Sequence, residues 1–204
     1  MDVGFLLKGL VIGFSIAAPV GPISLLCIRR SLAHGRGAGL ASGMGAATAD
    51  GIYGAVAAFG LTSVSGFLVA QQQWFGMGGG VLLVGLGAQI LLSRPPTEGA
   101  GSNRVTLARA YASTFVLTLS NPVTILMFAA IFAGLGIAAA ADVGSAALLT
   151  AGVFLGSAVW WVILSAGVGA SRSRFTPGAL VWVNRIAGAV IAGFGIAAFV
   201  RVLG

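Results

Sequence analysis

The stretch GAGLASGMGAATADGIYGAVAAFGL, residues 37–61, is long enough to cross a lipid bilayer and carries a single charge, that of Asp50. About 20 apolar residues span the hydrocarbon core, and a carboxylate near the middle of such a helix costs about 2.5–3.5 kcal/mol on insertion scales. A residue kept there usually faces a cavity, a partner helix or a permeating solute. Asp50 is therefore either a structural hydrogen bond between helices or part of a functional site, and the functional interpretation is favoured.

The composition of the whole chain indicates a membrane protein. Of its 204 residues, 58% are hydrophobic and 7% are charged, whereas soluble domains carry roughly a quarter charged residues. The 33 glycines suit membrane helices, in which glycine lets backbones approach closely. We therefore expect an all-α integral membrane protein, with residues 1–204 forming a single transmembrane domain in contact with the lipid bilayer.

Several function classes are excluded by the counts of reactive residues. The net charge of +7 comes from basic residues in short gaps between apolar segments, so nucleic acid is not an expected partner. The single cysteine, Cys27, excludes a two-cysteine redox relay. One histidine and four acids give no cluster with metal-ligand spacing, and Asp50 lacks the convergent partners of a hydrolase. We expect no enzyme activity, no metal site, no cofactor and, without a Walker sequence, no ATP-driven transport by this chain alone.

Six apolar segments of membrane length follow one another along the chain. They are predicted at about 5–28, 38–62, 73–92, 108–133, 144–169 and 183–203. The first segment contains Lys8 and is expected to be a retained span, not a cleaved signal peptide. The gaps after spans one, three and five hold most of the basic residues, namely Arg29, Arg30, Arg36, Arg94, Arg104, Arg109, Arg172, Arg174 and Arg185. The positive-inside rule places these gaps in the cytoplasm and both termini outside.

The two halves of the chain repeat one another. Gly21-Pro-Ile-Ser-Leu-Leu-Cys27 matches Asn121-Pro-Val-Thr-Ile-Leu-Met127, 100 positions later. Ala49-Asp-Gly-Ile-Tyr53 matches Gly156-Ser-Ala-Val-Trp160, 107 positions later. A third set of matches, 108 positions apart, pairs Trp74, Gly80, Gly85 and Gly87 with Trp182, Gly188, Gly193 and Gly195.

Three spans per repeat is an odd number, so the second repeat must enter the membrane from the opposite side. We expect two inverted three-helix repeats, at about 1–95 and 105–204, joined by a cytoplasmic linker at about 93–107. Inverted repeats are typical of secondary transporters, whose substrate site lies near the midplane at the repeat interface.

Prolines at equivalent positions predict that helices one and four are broken, at Pro19-Val-Gly-Pro22 and Asn121-Pro122. Proline removes a backbone donor and clashes with the preceding turn, but it suits the first position of a new helix. Asn121 is then the expected N-cap of a half-helix that begins at Pro122, and Gly21 has the same place before Pro22.

The starts of these half-helices are candidate substrate-binding groups. Free N–H groups and the positive end of the helix dipole can hold an anion such as a carboxylate, and Ser24 and Thr124 add hydroxyls in the first turns. The alternative is two proline kinks packed against glycines. The matched positions of the breaks favour a binding site.

Asp50 would complete such a site. Its repeat counterpart is Ser157, which predicts one ionisable and one neutral wall. A carboxyl group in apolar surroundings can take up a proton near neutral pH, so Asp50 can bind a substrate ammonium, carry a coupling proton, or do both in turn. Tyr53 lies on the same helix face, and Trp160 either lines the site or packs between helices.

The residues quoted above carry a family resemblance. Ala17-Ala-Pro-Val-Gly-Pro22, Arg29-Arg30-Ser31, Gly35–Leu40, Gly45–Asp50 and Ser120-Asn121-Pro122 together resemble the LysE/RhtB family of amino-acid exporters over essentially the whole chain. The resemblance implies efflux of amino acids or close derivatives, driven by a proton or ion gradient. It also implies the inner membrane of a bacterium and a homodimer as one assembly.

Two departures from the family pattern bear on the substrate. Val20 separates the first proline from the glycine where many members read Pro-Gly-Pro, and Val123 stands where a lysine often follows Asn-Pro. The leading hypothesis is a proton-coupled exporter of a small zwitterionic or anionic amino acid. An exporter of a metal ion or another small solute, a channel and a structural subunit stay open as alternatives.

Overall fold

The computed structural model describes residues 3–60, 62–92, 106–134, 142–171 and 176–203. Over these residues the chain is helical, with no strand. The helices are α1 (Val3–Ala17), α2 (Pro22–His34), α3 (Arg36–Ala58), α4 (Thr62–Ala70), α5 (Gln72–Leu92), α6 (Leu107–Leu119), α7 (Pro122–Gly134), α8 (Val143–Ser171) and α9 (Pro177–Leu203). Most of the predicted linker, with Arg94 and Arg104, lies outside the described residues, as do Arg172 and Arg174.

The first and fourth predicted spans are both broken at their prolines. The axes of α1 and α2 differ by 80°, and those of α6 and α7 by 59°. Gly21, in extended conformation, is the N-cap of α2, and Pro22 opens the helix. The Asn121 side-chain oxygen accepts a hydrogen bond from the Val123 N–H at 3.1 Å, as expected of an N-cap residue. The predicted breaks are therefore confirmed in position.

Helix α3 is the centre of the bundle, since 13 of its 23 residues are buried. It runs antiparallel to α8, because Gly43 faces Trp161 while Gly54, further along α3, faces Val153. Helix α1 packs along α8 and α6 packs along α3. Both broken pairs thus pack against the α3–α8 pair, the first through α1 on α8 and α2 on α3, and the second through α6 on α3.

By length and apolarity, three described helices can each cross a membrane, α5, α8 and most of α9, and each broken pair meets the same test when taken as one span. Helix α3, at the second predicted span, is long enough but less apolar, since it contains Asp50 and is rich in glycine and alanine. Because α3 packs against several other helices, most of its side chains contact protein, and a strongly apolar surface is not required over the whole helix.

The structure corrects the predicted segment bounds at three places. Helix α4 occupies the gap predicted between spans two and three, after a turn in which Gly60 has φ 63°, a conformation that favours glycine. Helix α2 continues to His34, beyond the predicted end at 28. Helix α9 begins at Pro177, before the predicted start at 183, because proline fits the first turn of a helix.

Arg29 and Arg30 belong to the basic residues that predict the orientation in the membrane, and they also connect helices. Arg30 is 4% exposed, and its guanidinium donates to Ser42 Oγ at 2.8 Å, to the Ala110 carbonyl at 3.0 Å and to Ser113 Oγ at 2.8 Å. Arg29 Nε donates to Asn184 Oδ1 at 2.9 Å. These bonds join α2 to α3, α6 and α9.

Glycines set the distance between α5 and α9. A Cβ added to Gly87 would lie 2.7 Å from the Gly188 carbonyl oxygen, whereas one added to Gly85 would meet nothing within 4 Å. We expect Gly87→Ala to lower the free energy of unfolding by about 1–3 kcal/mol through overpacking. Gly85→Ala, two residues away, is the control and should leave it unchanged or slightly raised. Thermal unfolding of the purified variants in detergent checks this, and equal effects of the two variants would contradict it.

Candidate functional site

A cavity of about 560 Å³ lies between the two helix breaks. Helices α1, α2, α3, α5, α6, α7, α8 and α9 contribute to its walls, together with both break segments. Eight of the residues predicted as substrate-binding line it: Pro19, Gly21, Pro22, Ser24, Asp50, Asn121, Pro122 and Thr124. Segments from the two halves of the chain are thus brought together around one space.

Asp50 is buried at the cavity wall, with 3% of its surface exposed. Its Oδ2 accepts a hydrogen bond from Ser157 Oγ at 2.7 Å, and Ser157 Oγ in turn accepts one from Trp161 Nε1 at 3.1 Å. This chain of donors fixes the carboxyl group from the α8 side. Asp50 is also the one ionisable side chain among the described residues that line the cavity.

Ser157 is not the opposite wall that the sequence predicts. It touches Asp50 directly and is absent from the described cavity lining. The reason is the tight contact of α3 with α8, in which Gly51 and Gly54 let Phe154 and Val153 approach. Ser157 therefore acts on the Asp50 carboxyl group. Of these two side chains, only Asp50 belongs to the described cavity lining and could contact a ligand there.

Tyr53 also lies outside the described lining of the cavity. Its hydroxyl donates to the Leu119 carbonyl at 2.6 Å, and its ring lies 5.4 Å from that of Phe128 between centroids. The Leu119 carbonyl is one of those left without an intrahelical partner at the end of α6. Tyr53 thus satisfies the backbone at the second break and connects α3 to α6 and α7.

The tryptophan at the cavity is Trp161, not Trp160. Trp161 is 3% exposed and lines the cavity. The Trp160 ring packs edge-on against Phe14, with 5.5 Å between centroids, which favours the packing interpretation of that residue. The sequence did contain a signal for this residue, because Trp161 lies four residues after Ser157 and therefore on the same face of α8.

Other polar residues of the lining were missed by sequence reasoning. They are Thr118, Ser120, Gln72 and Gln73. The glutamines stand at the end of a predicted gap, beside the unpredicted helix α4. Thr118 has no polar counterpart in the first repeat, where Ala18 is equivalent, so the repeat gave no signal for it.

The starts of α2 and α7 both face the cavity, since Pro22, Ile23, Pro122 and Val123 line it. Helix N-termini carry partial positive charge and N–H groups without intrahelical partners. The cavity thus offers a carboxyl group at one place and two positive helix ends at others. Such a surface is complementary to a small molecule that carries both charges.

Interrupted apolar helices around a cavity of solute size are the construction of a helical membrane transport protein. The LysE type translocator family matches residues 14–201, nearly the whole chain, and the chain belongs to that family. Neither the comparison with curated proteins nor that with solved structures gives a match. The chain is therefore a multi-pass membrane protein of a family that translocates small solutes.

The two tyrosines of the chain allow a matched test of the second break. Tyr53→Phe would leave the half-buried Leu119 carbonyl without its donor, an effect of about 0.5–1.5 kcal/mol on the free energy of unfolding. Tyr111→Phe removes a hydroxyl that donates to Thr48 Oγ1 at 2.9 Å, and Thr48 keeps its own bond to the Met44 carbonyl. We expect Tyr53→Phe to lower the melting temperature in detergent clearly more than Tyr111→Phe. The reverse order would contradict the role given to Tyr53.

Proposed function

We propose that the chain is a secondary active transporter that exports an amino acid or a close derivative across the inner membrane by proton antiport. The observation that carries the proposal is the position of Asp50, a buried carboxyl group on the wall of a cavity between two broken helices. Ionisable groups inside membrane proteins usually mark substrate or proton pathways. The outward direction of transport rests on the family.

Two inverted three-helix repeats are the architecture that we infer for this transporter. Asp50 and Ser157 are counterparts in the sequence repeat and are hydrogen-bonded to each other, as residues on a pseudo-twofold axis would be. Gly80 faces Gly195 and Gly87 faces Gly188, and the repeat operation exchanges these two contacts. Both termini would then lie outside the cell, with the arginine-bearing gaps in the cytoplasm.

The substrate carboxylate would bind at the half-helix starts, near Pro22 and Asn121-Pro122. The N–H groups there are donors for an anion, and Ser24 and Thr124 are each 7% exposed or less in the first turns. Ser24 Oγ already donates to the Pro19 carbonyl at 3.3 Å, so its hydroxyl also holds the first break in shape. The site thus needs no buried arginine to bind an anion.

The substrate ammonium and the coupling proton would share Asp50. Its Oδ2 is held by Ser157, which leaves the other oxygen for an ammonium or a proton. Binding of one excludes binding of the other, and such competition at a single carboxyl group gives antiport if the repeats rock only when Asp50 holds a proton or a solute. Rocking of the repeats about the α3–α8 contact would expose Asp50 to each side in turn.

Asp50→Asn tests the proposal, because an amide cannot release a proton or pair with an ammonium. In inverted membrane vesicles, labelled amino acids are added with and without an imposed pH gradient. We expect wild type to accumulate at least one of them in a gradient-dependent manner, and Asp50→Asn to lose that accumulation while still inserting and folding.

Asp142→Asn is the control, since Asp142 is the other acid that the described residues include. Hydrogen bonds from the Ser145 hydroxyl and N–H hold the pKa of the exposed Asp142 carboxyl below its usual range, and asparagine caps a helix equally well. This variant should transport like wild type. Undiminished transport by Asp50→Asn would show that Asp50 only forms a structural hydrogen bond between helices and is not needed for transport. Transport without saturation or proton movement would indicate a channel, and no uptake of any amino acid would favour another solute.

A further inference from the structure

Thr118, near the end of α6, holds a buried hydroxyl that the fold does not use. The residue is 2% exposed, and its Oγ1 has no hydrogen-bond partner within the described part of the chain. Leaving a buried hydroxyl unpaired is destabilising, and native proteins keep few such groups. A group of this kind beside a cavity is a candidate for contact with a ligand.

The position of Thr118 separates it from the other unpaired groups. Buried side-chain atoms without a partner also occur in Ser31, Thr150, Trp160 and Ser165. Of the described residues in this set, Thr118 alone lines the cavity. Thr118 is therefore the one residue of the set at the place where a solute would bind.

Neighbouring threonines behave differently. Thr114, one turn earlier on α6, donates its hydroxyl to the Ser42 carbonyl at 2.6 Å. Thr48 on α3 donates to the Met44 carbonyl at 2.8 Å, the bond to residue i−4 that helical threonines commonly make. Thr118 makes neither kind of bond, so its hydroxyl can both donate to and accept from a ligand.

Thr118 also lies at about the depth of Asp50. The Tyr53 hydroxyl bonds to the carbonyl of Leu119, the residue after Thr118, and Asp50 stands about one turn before Tyr53 on α3. In the other direction, the Thr118 carbonyl accepts from the Asn121 N–H at 3.2 Å, next to the start of α7. A small molecule that extends from Asp50 to the start of α7 would therefore lie beside Thr118.

We propose that the Thr118 hydroxyl donates a hydrogen bond to the carboxylate of the transported solute. The inference rests on the proposed function, in which that carboxylate binds at the half-helix starts. A hydroxyl that donates to a carboxylate forms a charge-assisted bond, stronger than one between neutral groups. Since Ala18 is the counterpart of Thr118 in the first repeat, the hydroxyl is present on one side only. The carboxylate is therefore held on the α6–α7 side of the cavity, which fixes the orientation of the solute.

The test compares Thr118→Val, Thr118→Ser and Thr150→Val in inverted vesicles. Valine preserves the shape of threonine and removes the hydroxyl, and Thr150→Val removes an equally unpaired hydroxyl from α8, away from the described cavity lining. The probe is the labelled standard amino acid that wild type accumulates fastest. We expect Thr118→Val to raise its KM by about tenfold or more, the size of a lost bond to a charged group. Thr118→Ser should stay near wild type, and Thr150→Val should not change the KM.

Two further measurements separate solute binding from a structural role. The α-carboxamide of the same amino acid, used as a competitor, lacks the negative charge, so wild type and Thr118→Val should differ less in their affinity for it. Without solute, the melting temperature of Thr118→Val in detergent should equal or exceed that of wild type, because the variant loses an unpaired polar group.

An unchanged KM in Thr118→Val, or an equal rise in Thr150→Val, would overturn the inference while leaving the proposed function intact. A lower melting temperature of Thr118→Val without solute, with the same loss of affinity for the amino acid and its carboxamide, would also overturn it. If wild type accumulates no amino acid at all, the proposed function fails and this inference fails with it.

Discussion

The contact between α3 and α8, with the hydrogen bond from Ser157 to Asp50 at its centre, is the interaction on which the rest of the structure depends. A carboxyl group inside a membrane protein is tolerated where it is paired or faces a cavity, and Asp50 satisfies both conditions. Trp161 extends the bond chain on the α8 side. Because α1 packs on α8 and α6 packs on α3, this one contact also determines where the two broken pairs meet and hence where the cavity forms.

Glycine makes that contact and its neighbours possible. A side chain at Gly43 would collide with Trp161, and one at Gly9 or Gly13 of α1 would collide with the α8 backbone. Helices in lipid associate through close van der Waals packing and interhelical hydrogen bonds, since burial of apolar surface gives little net gain there. Glycine at these contact positions is therefore a requirement of the packing. One consequence is that α3, with its glycines and Asp50, is less apolar than α5, α8 and α9.

Much of the architecture could be predicted from sequence because it depends on local chemistry. Proline breaks a helix interior but suits a helix start, so the positions of both breaks, and the placement of Asn121 and Gly21 at the starts of α7 and α2, followed from the residues alone. The place of Asp50 at the cavity could likewise be predicted, because an acid that stands alone in an apolar segment usually faces a cavity or a partner.

The remainder depended on how helices rotate and approach, which no local pattern specifies. The sequence could not distinguish Trp160 from Trp161, since a rotation of α8 by one residue exchanges them. It placed Ser157 opposite Asp50, whereas the glycine contact of α3 with α8 brings the two side chains together. Thr118 was missed because an unpaired hydroxyl is a property of the fold and has no signature in the chain.

The most direct test of the central claim is chemical modification of Asp50 by dicyclohexylcarbodiimide, which reacts with protonated carboxyl groups in apolar surroundings. The chain has four acids, so modification of the purified transporter can be assigned to a residue by peptide mass spectrometry. If the carboxyl group at the cavity wall binds the proton and the solute in turn, Asp50 should be modified, and a saturating concentration of the transported amino acid should slow its modification. A reaction rate at Asp50 that is the same with and without solute, or no modification of Asp50 at all, would contradict the account.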